Sequence, residues 1–336
     1  MPNPNSKPLS ERLGTAAFML VVLVLFYTAS DTLLVIFGSF LAAFFLLKAG
    51  GDATERWGGS RKVWVASLIF VGVILAAGFF ALAGSQLQQQ AEEIGPQVSQ
   101  SLQQLEEAAE PYPSLESAIR TLKEQSSEFS LERVQIIFNG ALGILSSIAL
   151  AAALILYVCF QPEPYEKGVR KVAAGLIGRR QARSFLRSLS DHLWGFLGGQ
   201  LKAMFVIAVV TTLGLWLLGI PMFFVLGIMA GLFAFVPVLG PLVSTIPAVL
   251  VSLPQGTTTV LWVLALYGGV QLVESNFLTP VLQQQNSKLP PVLTLSFQAV
   301  MGTLAGPLGI LLAAPAAVFF LVAGQEWLKS DEDESL

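Results

Sequence analysis

Residues 222–253 read MFFVLGIMAGLFAFVPVLGPLVSTIPAVLVSL and contain no charged side chain. The run is longer than the roughly 20 apolar residues that one helix needs to cross about 30 Å of hydrocarbon. Its middle holds Pro237, Gly240 and Pro241. Proline removes a helix hydrogen bond and glycine weakens a helix by about 1 kcal/mol relative to alanine. The stretch therefore predicts a membrane segment whose helix is broken near its centre.

A second apolar run, residues 291–323, is interrupted in a similar way by Gly306, Pro307 and Gly309, with Pro315 further along. Backbone groups freed by such interruptions are tolerated at membrane depth only where protein or a water-filled cavity surrounds them. A pair of broken segments is the sequence feature that best indicates a transport site. The alternative is that both interruptions are architectural kinks, because proline and glycine are frequent in membrane helices.

The overall composition is that of a membrane protein, since 54% of the 336 residues are hydrophobic and only 12% are charged. A soluble domain of this size would need more polar side chains to cover its surface. We therefore predict an all-α, polytopic integral membrane protein with about eight transmembrane helices. Two of them are the Gly/Pro-broken segments of the C-terminal half, which are either kinked or re-entrant. The predicted spans are two within residues 13–47, then 63–83, 136–160, 203–219, 222–253, 257–278 and 291–323.

Changes in composition divide the chain into six parts. These are the N-terminal three spans (1–83), an extracytoplasmic amphipathic helical segment (84–133), the fourth span (134–160), basic cytoplasmic amphipathic helices (161–202), a C-terminal transport core (203–325) and an acidic cytoplasmic tail (326–336). Short loops rich in lysine and arginine stay in the cytoplasm, so both termini are expected there and residues 84–133 outside. Apolar residues at helical spacing in 84–133 predict a helical hairpin, which is either a cap or an assembly surface between subunits.

The charge and the rare residue types exclude several functions. A net charge of −3 provides no basic surface for nucleic acid. The single cysteine, Cys159, rules out an intrachain disulfide, and the single histidine, His192, rules out a histidine pair for a metal. A serine–histidine dyad would also have to use His192, which lies among basic residues. We therefore expect no catalytic residue, no metal site and no cofactor, and a protein that is not an enzyme.

Between the two broken runs, residues 271–280 supply Gln271, Glu274 and Asn276 and end at Pro280. A carboxylate inside the membrane costs about 2.5–3.5 kcal/mol at mid-helix, so Glu274 should face a partner or water. Gln271 and Glu274 share one face at helical spacing. A carboxylate beside amides could bind a cation or a proton, or hydrogen-bond a polyol. In the alternative interpretation Glu274 lies near the end of its span and contacts interfacial water.

Several motifs in this order resemble the autoinducer-2 exporter family of bacterial membrane proteins over nearly the whole chain. They are Ser190-Asp191-His192 followed by Phe196-Leu197-Gly198-Gly199-Gln200, then Gly219-Ile220-Pro221, Val236-Pro237-Val238-Leu239-Gly240-Pro241, Gln271 with Glu274, Asn276 and Pro280, and Gly306-Pro307-Leu308-Gly309 with Ala314-Pro315. One position departs from the family pattern, because Lys288-Leu289-Pro290-Pro291 lacks a histidine that members often carry there. A proton role that rests on that histidine is in doubt for this chain.

The resemblance implies about eight spans in the bacterial cytoplasmic (inner) membrane and both termini in the cytoplasm. It implies export of the furanone signal autoinducer-2, while other members are credited with sodium or lithium/proton antiport. It also implies a homo-oligomer, with a pentamer as the expected form. The expected partners are the lipid bilayer and a small-molecule or ion substrate.

These observations together predict a membrane transporter that exports a small polar molecule by an ion- or proton-coupled mechanism. The alternatives are a sodium or lithium/proton antiporter and an uncoupled channel or facilitator. The predicted substrate or ion pathway comprises Pro237, Gly240, Pro241, Gln271, Glu274, Asn276, Pro280, Gly306, Pro307, Gly309 and Pro315.

The predicted topology can be tested by cysteine labelling in intact cells. Ser101→Cys and Ser188→Cys, each in a Cys159→Ser background, place one thiol in each of the two polar segments. An impermeant maleimide should label the thiol at position 101 and leave the thiol at position 188 unlabelled until the cells are lysed. Equal labelling of both in intact cells would contradict the eight-span arrangement.

Overall fold

The computed structural model describes residues 29–82, 147–278 and 290–334, and all regular structure in them is helical. The predicted all-α fold is confirmed. The α-helices, numbered in chain order, are α1 (Ser30–Trp57), α2 (Arg61–Leu82), α3 (Ser147–Phe160), α4 (Pro162–Ile177), α5 (Arg179–Leu217), α6 (Phe223–Phe233), α7 (Leu239–Ser252), α8 (Thr257–Val273) and α9 (Pro291–Glu334). The predicted first span, the segment 84–133 and Pro280 lie outside the described residues.

Five helices in the described residues are long and apolar enough to cross a membrane. They are α1, α2, α5, α8 extended to Leu278, and residues Val292–Glu326 of α9. The α3–α4 pair, bent by 92°, would make a sixth. The run 222–253 forms two shorter helices, α6 and α7, because its centre is not helical. The multi-span architecture is thus confirmed, and the count of eight stays a prediction.

The apolar surface of α2 is consistent with a helix that faces lipid. Phe70, Leu75 and Phe80 are all more than 60% exposed. A soluble monomer rarely exposes so continuous an apolar patch, since water contact with it is unfavourable. Within the described residues nothing covers this face of α2, which suits contact with lipid.

Helix α5 organises the packing of the described residues. Its 39 residues correspond to about 58 Å, nearly twice the thickness of the hydrocarbon. Near Phe196 it packs into a core shared with α1 and α9, and near Leu215 into a core shared with α6, α7 and α8. The composition boundary at residues 202/203 falls inside this continuous helix, because a change from basic to apolar residues does not by itself break a helix. The six-part division of the chain remains a prediction.

Helix α4 turns sharply away from α3. Pro162 begins it, and proline is favoured at the first position of a helix because its missing N–H would have no partner there. Gly178, with φ of 80°, ends it and leads directly into α5. Tyr165 of α4 contacts Phe40 of α1, with ring centroids 5.8 Å apart, so the helix is anchored to the α1–α3 core.

Helices α5 and α6 pack closely through small residues. Gly227 and Gly231, four positions apart on α6, approach Thr212 and Ala208 of α5. A Cβ on Gly231 would lie 2.6 Å from the carbonyl oxygen of Met204. Such small-residue faces allow membrane helices to associate through van der Waals contact, since lipid tails are as apolar as the helices themselves.

We predict that Gly231→Ala lowers the thermal stability of the protein in detergent by about 1–3 kcal/mol, because the methyl group overpacks against the α5 backbone. Gly198→Ala on α5 is the matched control, since its Cβ would meet no atom within 4 Å. The control should leave the melting temperature unchanged or slightly raised, as alanine favours helix. A similar loss in both variants would exclude the α5–α6 contact as the cause.

Candidate functional site

The first broken segment separates α6 from α7. The backbone between Phe233 and Leu239 leaves the helical conformation, and Val238 adopts φ 70° and ψ −55°. The N–H of Leu239 donates to the carbonyl of Pro237 at 2.9 Å, which makes a γ-turn centred on Val238. This hand of γ-turn is rare and strained, above all for a β-branched residue. The surrounding structure must therefore hold it in place.

Two glutamines from distant parts of the chain hold this break. Gln200 of α5 donates its side-chain amide to the carbonyl of Ala234 at 2.6 Å. Gln298 of α9 donates in the same way to the carbonyl of Pro237 at 2.9 Å. Both glutamines are nearly fully buried. They provide the hydrogen bonds that the broken helix cannot make for itself.

The second broken segment lies inside α9. Ala305 has φ −142° and ψ 25°, and Gly306 has φ 55° and ψ −140°. This last conformation is essentially restricted to glycine, so Gly306 permits the break. Gln298 lies seven residues before Ala305, about 10 Å along the helix, and also contacts the first break. The two breaks therefore lie in the same region of the molecule.

A glycine follows each break and allows a close approach of backbone. A Cβ on Gly240 would overlap the carbonyl of Phe233, and a Cβ on Gly309 would overlap the carbonyl of Met301. Each new helix thus starts against the end of the preceding one. The structure assigns Gly240 and Gly309 a packing role at the breaks.

The prolines of the two runs occupy different environments. Pro241 lies in the first turn of α7, and its carbonyl accepts hydrogen bonds from Ser244 and Thr245. Pro307 directly follows the non-helical Gly306. Pro315, in contrast, is fully buried inside the helical second half of α9 and does not interrupt it. Of the prolines predicted for the pathway, the structure places Pro237, Pro241 and Pro307 at the breaks.

Helix α8 presents a row of buried polar side chains. Tyr267, Gln271 and Glu274 follow each other at i, i+4 and i+7, so they lie on one face. Tyr267 belongs to the apolar core shared by α5, α6 and α7. The Tyr267 hydroxyl, the Gln271 Oε1 and the Glu274 Oε2 are buried, and no hydrogen-bond partner for them exists among the described residues. We call these three side chains the polar row.

Two further buried polar atoms share this property. The Thr211 hydroxyl on the core face of α5 and the Oε1 of Gln298 also have no partner in the described part of the chain. A buried polar group without a hydrogen bond costs about 1–3 kcal/mol, and native structures contain few of them. These five atoms of the described residues are therefore candidate positions for hydrogen bonds to water or to a polar solute.

The end of α8 separates Asn276 from Glu274. From Glu274 to Leu278 the chain forms a π-helical turn that packs against α5. π-turns occur frequently at functional sites. Asn276 points to the exposed side and donates to the carbonyl of Leu272 at 2.9 Å. The structure therefore brings Gln271 and Glu274 together on the buried face and leaves Asn276 outside this group.

Helices α5 and α8 also border an open apolar groove of about 350 Å³, which the side chains of the polar row do not line. Val206 and Val210 of α5 and Val270 and Val273 of α8 form part of its walls. Within the described residues, no group of three histidine, cysteine, aspartate or glutamate side chains could hold a metal ion. The polar row therefore offers a ligand two neutral hydrogen-bonding groups and one carboxyl group, next to the apolar core that contains Tyr267.

A comparison with protein families identifies the family of the chain. The family model described as AI-2E family transporter matches residues 16–329. The chain belongs to the AI-2E transporter family. It is a multi-pass membrane protein of that family.

Individual AI-2E family relatives agree with this assignment. The chain is similar to "Putative transport protein YrrI" of Bacillus subtilis (strain 168), at 26% identity over 59% of this chain and 57% of that protein. It is also similar to "Putative transport protein YhhT" of Escherichia coli (strain K12), at 24% identity over 94% of this chain and 90% of that protein. The chain spans about half the length of YrrI, and nearly all of YhhT.

The structure adds site residues of this AI-2E family member that sequence reasoning did not select for the pathway: Gln200, Thr211, Tyr267 and Gln298. Three of them carried a signal in the sequence. Gln298 is an isolated amide in the apolar run 291–323, and Tyr267 completes a helical spacing with Gln271 and Glu274. Gln200 belongs to one of the motifs that carry the family resemblance.

We predict that Gln200→Leu lowers the melting temperature in detergent, because the buried carbonyl of Ala234 loses its donor at a cost of about 1–3 kcal/mol. The matched control is Gln255→Leu, whose amide donates to the carbonyl of Gly219 at an exposed position where water can replace it. The control should change stability by about 0.5 kcal/mol or less. Equal effects of the two substitutions would show that the first break does not depend on this hydrogen bond.

Proposed function

We propose that this protein is a membrane transporter that moves a small polar solute along the buried face of α8, past the two helix breaks. The observation that carries the proposal is the polar row of Tyr267, Gln271 and Glu274, whose buried polar atoms have no partner among the described residues. A passing solute or water would supply the missing hydrogen bonds. The family membership and the transport names of the relatives support the same function.

The chemistry of the polar row favours a small solute with several hydroxyl or carbonyl groups. The Tyr267 hydroxyl can donate to a ligand and the Gln271 Oε1 can accept from one. Apolar side chains of the core that contains Tyr267, such as Leu266 and Val270, would contact the carbon skeleton of the solute. A furanone of the autoinducer-2 type, which the family resemblance suggests, has this mixed character. Export from the cell is the proposed direction.

Glu274 is the proposed coupling group. It is the one acidic side chain among the described residues of α5 to α8 beyond Asp191, and it is only 6% exposed. A carboxyl group in such surroundings is costly as an unpaired anion, so it would bind a proton or a cation whenever it turns away from water. The same observation favours a second candidate function, a sodium or lithium/proton antiporter. An uncoupled facilitator would use the same path without a role for this carboxyl group.

The two breaks are the proposed moving parts. Their residues Pro237 and Gly306 interrupt helices at membrane depth, and the hydrogen bonds from Gln200 and Gln298 are side-chain bonds that can exchange with water or solute. Broken helices at the centre of a bundle are the usual sites of solute and ion binding in transporters. We further propose that the protein resides in the bacterial inner membrane with both termini in the cytoplasm. A homo-oligomer, with the pentamer as the expected form, would cover part of its exposed apolar surface.

The coupling role can be tested with purified protein in proteoliposomes. Glu274→Gln keeps the shape and the hydrogen-bonding capacity of the side chain but fixes it in a neutral state. Flux of autoinducer-2 should then lose its dependence on a pH or sodium gradient, while flux without a gradient continues. Glu163→Gln, which removes an exposed acid on α4, is the control and should leave the gradient dependence intact.

Two results would contradict the proposal in different ways. An unchanged gradient response in the Glu274→Gln variant would remove the coupling role and favour the facilitator. Absence of autoinducer-2 flux in the unmodified protein, together with sodium-driven proton movement, would favour the antiporter and exclude the furanone as substrate.

A further inference from the structure

A hollow of about 1100 Å³ lies between α4 and the first turns of α5, apart from the helix breaks. Half of its ten lining residues are cationic and none is acidic. The cationic residues are Arg170, Lys171, Arg179, Arg183 and Arg187. Three of these, 179, 183 and 187, recur at i, i+4 and i+8 and form one stripe along α5.

Most of these cations have no counter-charge in the part of the chain that the structure describes. Arg170 forms an ion pair with Glu166 at 3.6 Å, and both side chains are exposed. No carboxylate among the described residues lies within ion-pair distance of Lys171 or of the three arginines of α5. Like charges in one hollow repel each other unless an anion is present. The arrangement therefore suits a ligand that carries several negative charges.

The orientation of α4 indicates from which side such a ligand would enter. The face of α4 opposite to Arg170 and Lys171 carries apolar side chains at i, i+3 and i+7. They are Val169, Val172 and Leu176, which are 49%, 63% and 79% exposed. Tyr165 on the same apolar side packs against Phe40 of α1. The apolar face thus points to the bundle and the bilayer, and the cationic face points to water.

The start of α5 adds to the anion-binding character of the hollow. The helix begins at Arg179 without a side-chain cap, so the N–H groups of its first turn have no partner from a capping side chain. Free N–H groups at a helix start favour phosphate, which they can bind together with arginine side chains. Arginine also matches phosphate oxygens with two parallel hydrogen bonds.

We propose that this hollow binds a water-soluble anion with clustered phosphate groups, such as a nucleoside triphosphate or a short polyphosphate. The site is open to the aqueous compartment on the basic side of the membrane. A lipid headgroup with a single charge would leave most of the five cations uncompensated. Its acyl chains would also have to reach the hydrocarbon from the face of α4 that points away from it.

Titration of the full-length protein with tripolyphosphate tests the proposal. The protein is held in nanodiscs of phosphatidylcholine, which has no net charge, and binding is followed by calorimetry. We expect saturable binding that weakens about tenfold with Arg183→Gln or Arg187→Gln, since each removes a charged hydrogen bond. Arg180→Gln is the matched control, because Arg180 is exposed on the same helix but does not line the hollow. It should change the affinity by about twofold or less.

Three outcomes would overturn the proposal. The first is that tripolyphosphate fails to bind the unmodified protein. The second is that the Arg180→Gln variant loses as much affinity as the other two variants, which would indicate diffuse attraction to the surface. In the third, nanodiscs containing phosphatidylglycerol abolish tripolyphosphate binding, and the Arg183→Gln variant no longer retains that lipid in native mass spectrometry. The hollow would then be a lipid site. Arg180, Arg183 and Arg187 are exposed, so their substitution should leave the melting temperature unchanged, and this measurement confirms that the variants are folded.

Discussion

The absence of water in a bilayer forces every backbone N–H and carbonyl group at membrane depth to find a partner within the protein. Continuous helices meet this requirement locally, but the segments at 234–238 and 305–306 do not. Several contacts of the described residues compensate for that deficit. Helix α5 brings Gln200 to one side of the first break, and α9 brings Gln298 to the other. The glycines at 240 and 309 let the broken ends come close enough to share the same small space.

The buried polar atoms that contact the breaks and those of the polar row have opposite consequences for stability. The amides of Gln200 and Gln298 donate to backbone carbonyls and thereby complete the fold. The polar atoms of the polar row have no such partner, so they weaken the fold unless something else binds there. Proteins tolerate this kind of cost mainly where function requires it. Stability and the proposed transport would therefore depend on different buried polar side chains.

Sequence alone predicted the features that depend on local chemistry. The Pro237–Pro241 cluster and the Gly306-Pro307 step mark the breaks because proline and glycine act on their own backbone. The isolation of Glu274 in an apolar stretch left a position inside the membrane and an interfacial position open, and the structure buries this side chain. The side chains that donate hydrogen bonds to the first break were not predictable in this way. Gln200 and Gln298 are far from Pro237 in the chain, and only the three-dimensional packing brings them to it. The exposed side of Asn276 was likewise missed, since a regular helical spacing does not include the π-turn that begins at Glu274.

The hydrogen bond between Gln298 and Pro237 also has a consequence for biosynthesis. The two residues are 61 positions apart, and the acceptor is made first. Translation proceeds at about 5–20 residues per second, so the first break is synthesised several seconds before Gln298, which donates the second of its two side-chain hydrogen bonds. During that interval α6 and α7 cannot rest in hydrocarbon in their final form without an exposed carbonyl. The insertion machinery or the membrane interface has to provide hydrogen bonds to α6 and α7 until α9 has been synthesised and packed against them. Translation pauses downstream of residue 241 would lengthen that vulnerable period, so codon usage there bears on the yield of correctly inserted protein.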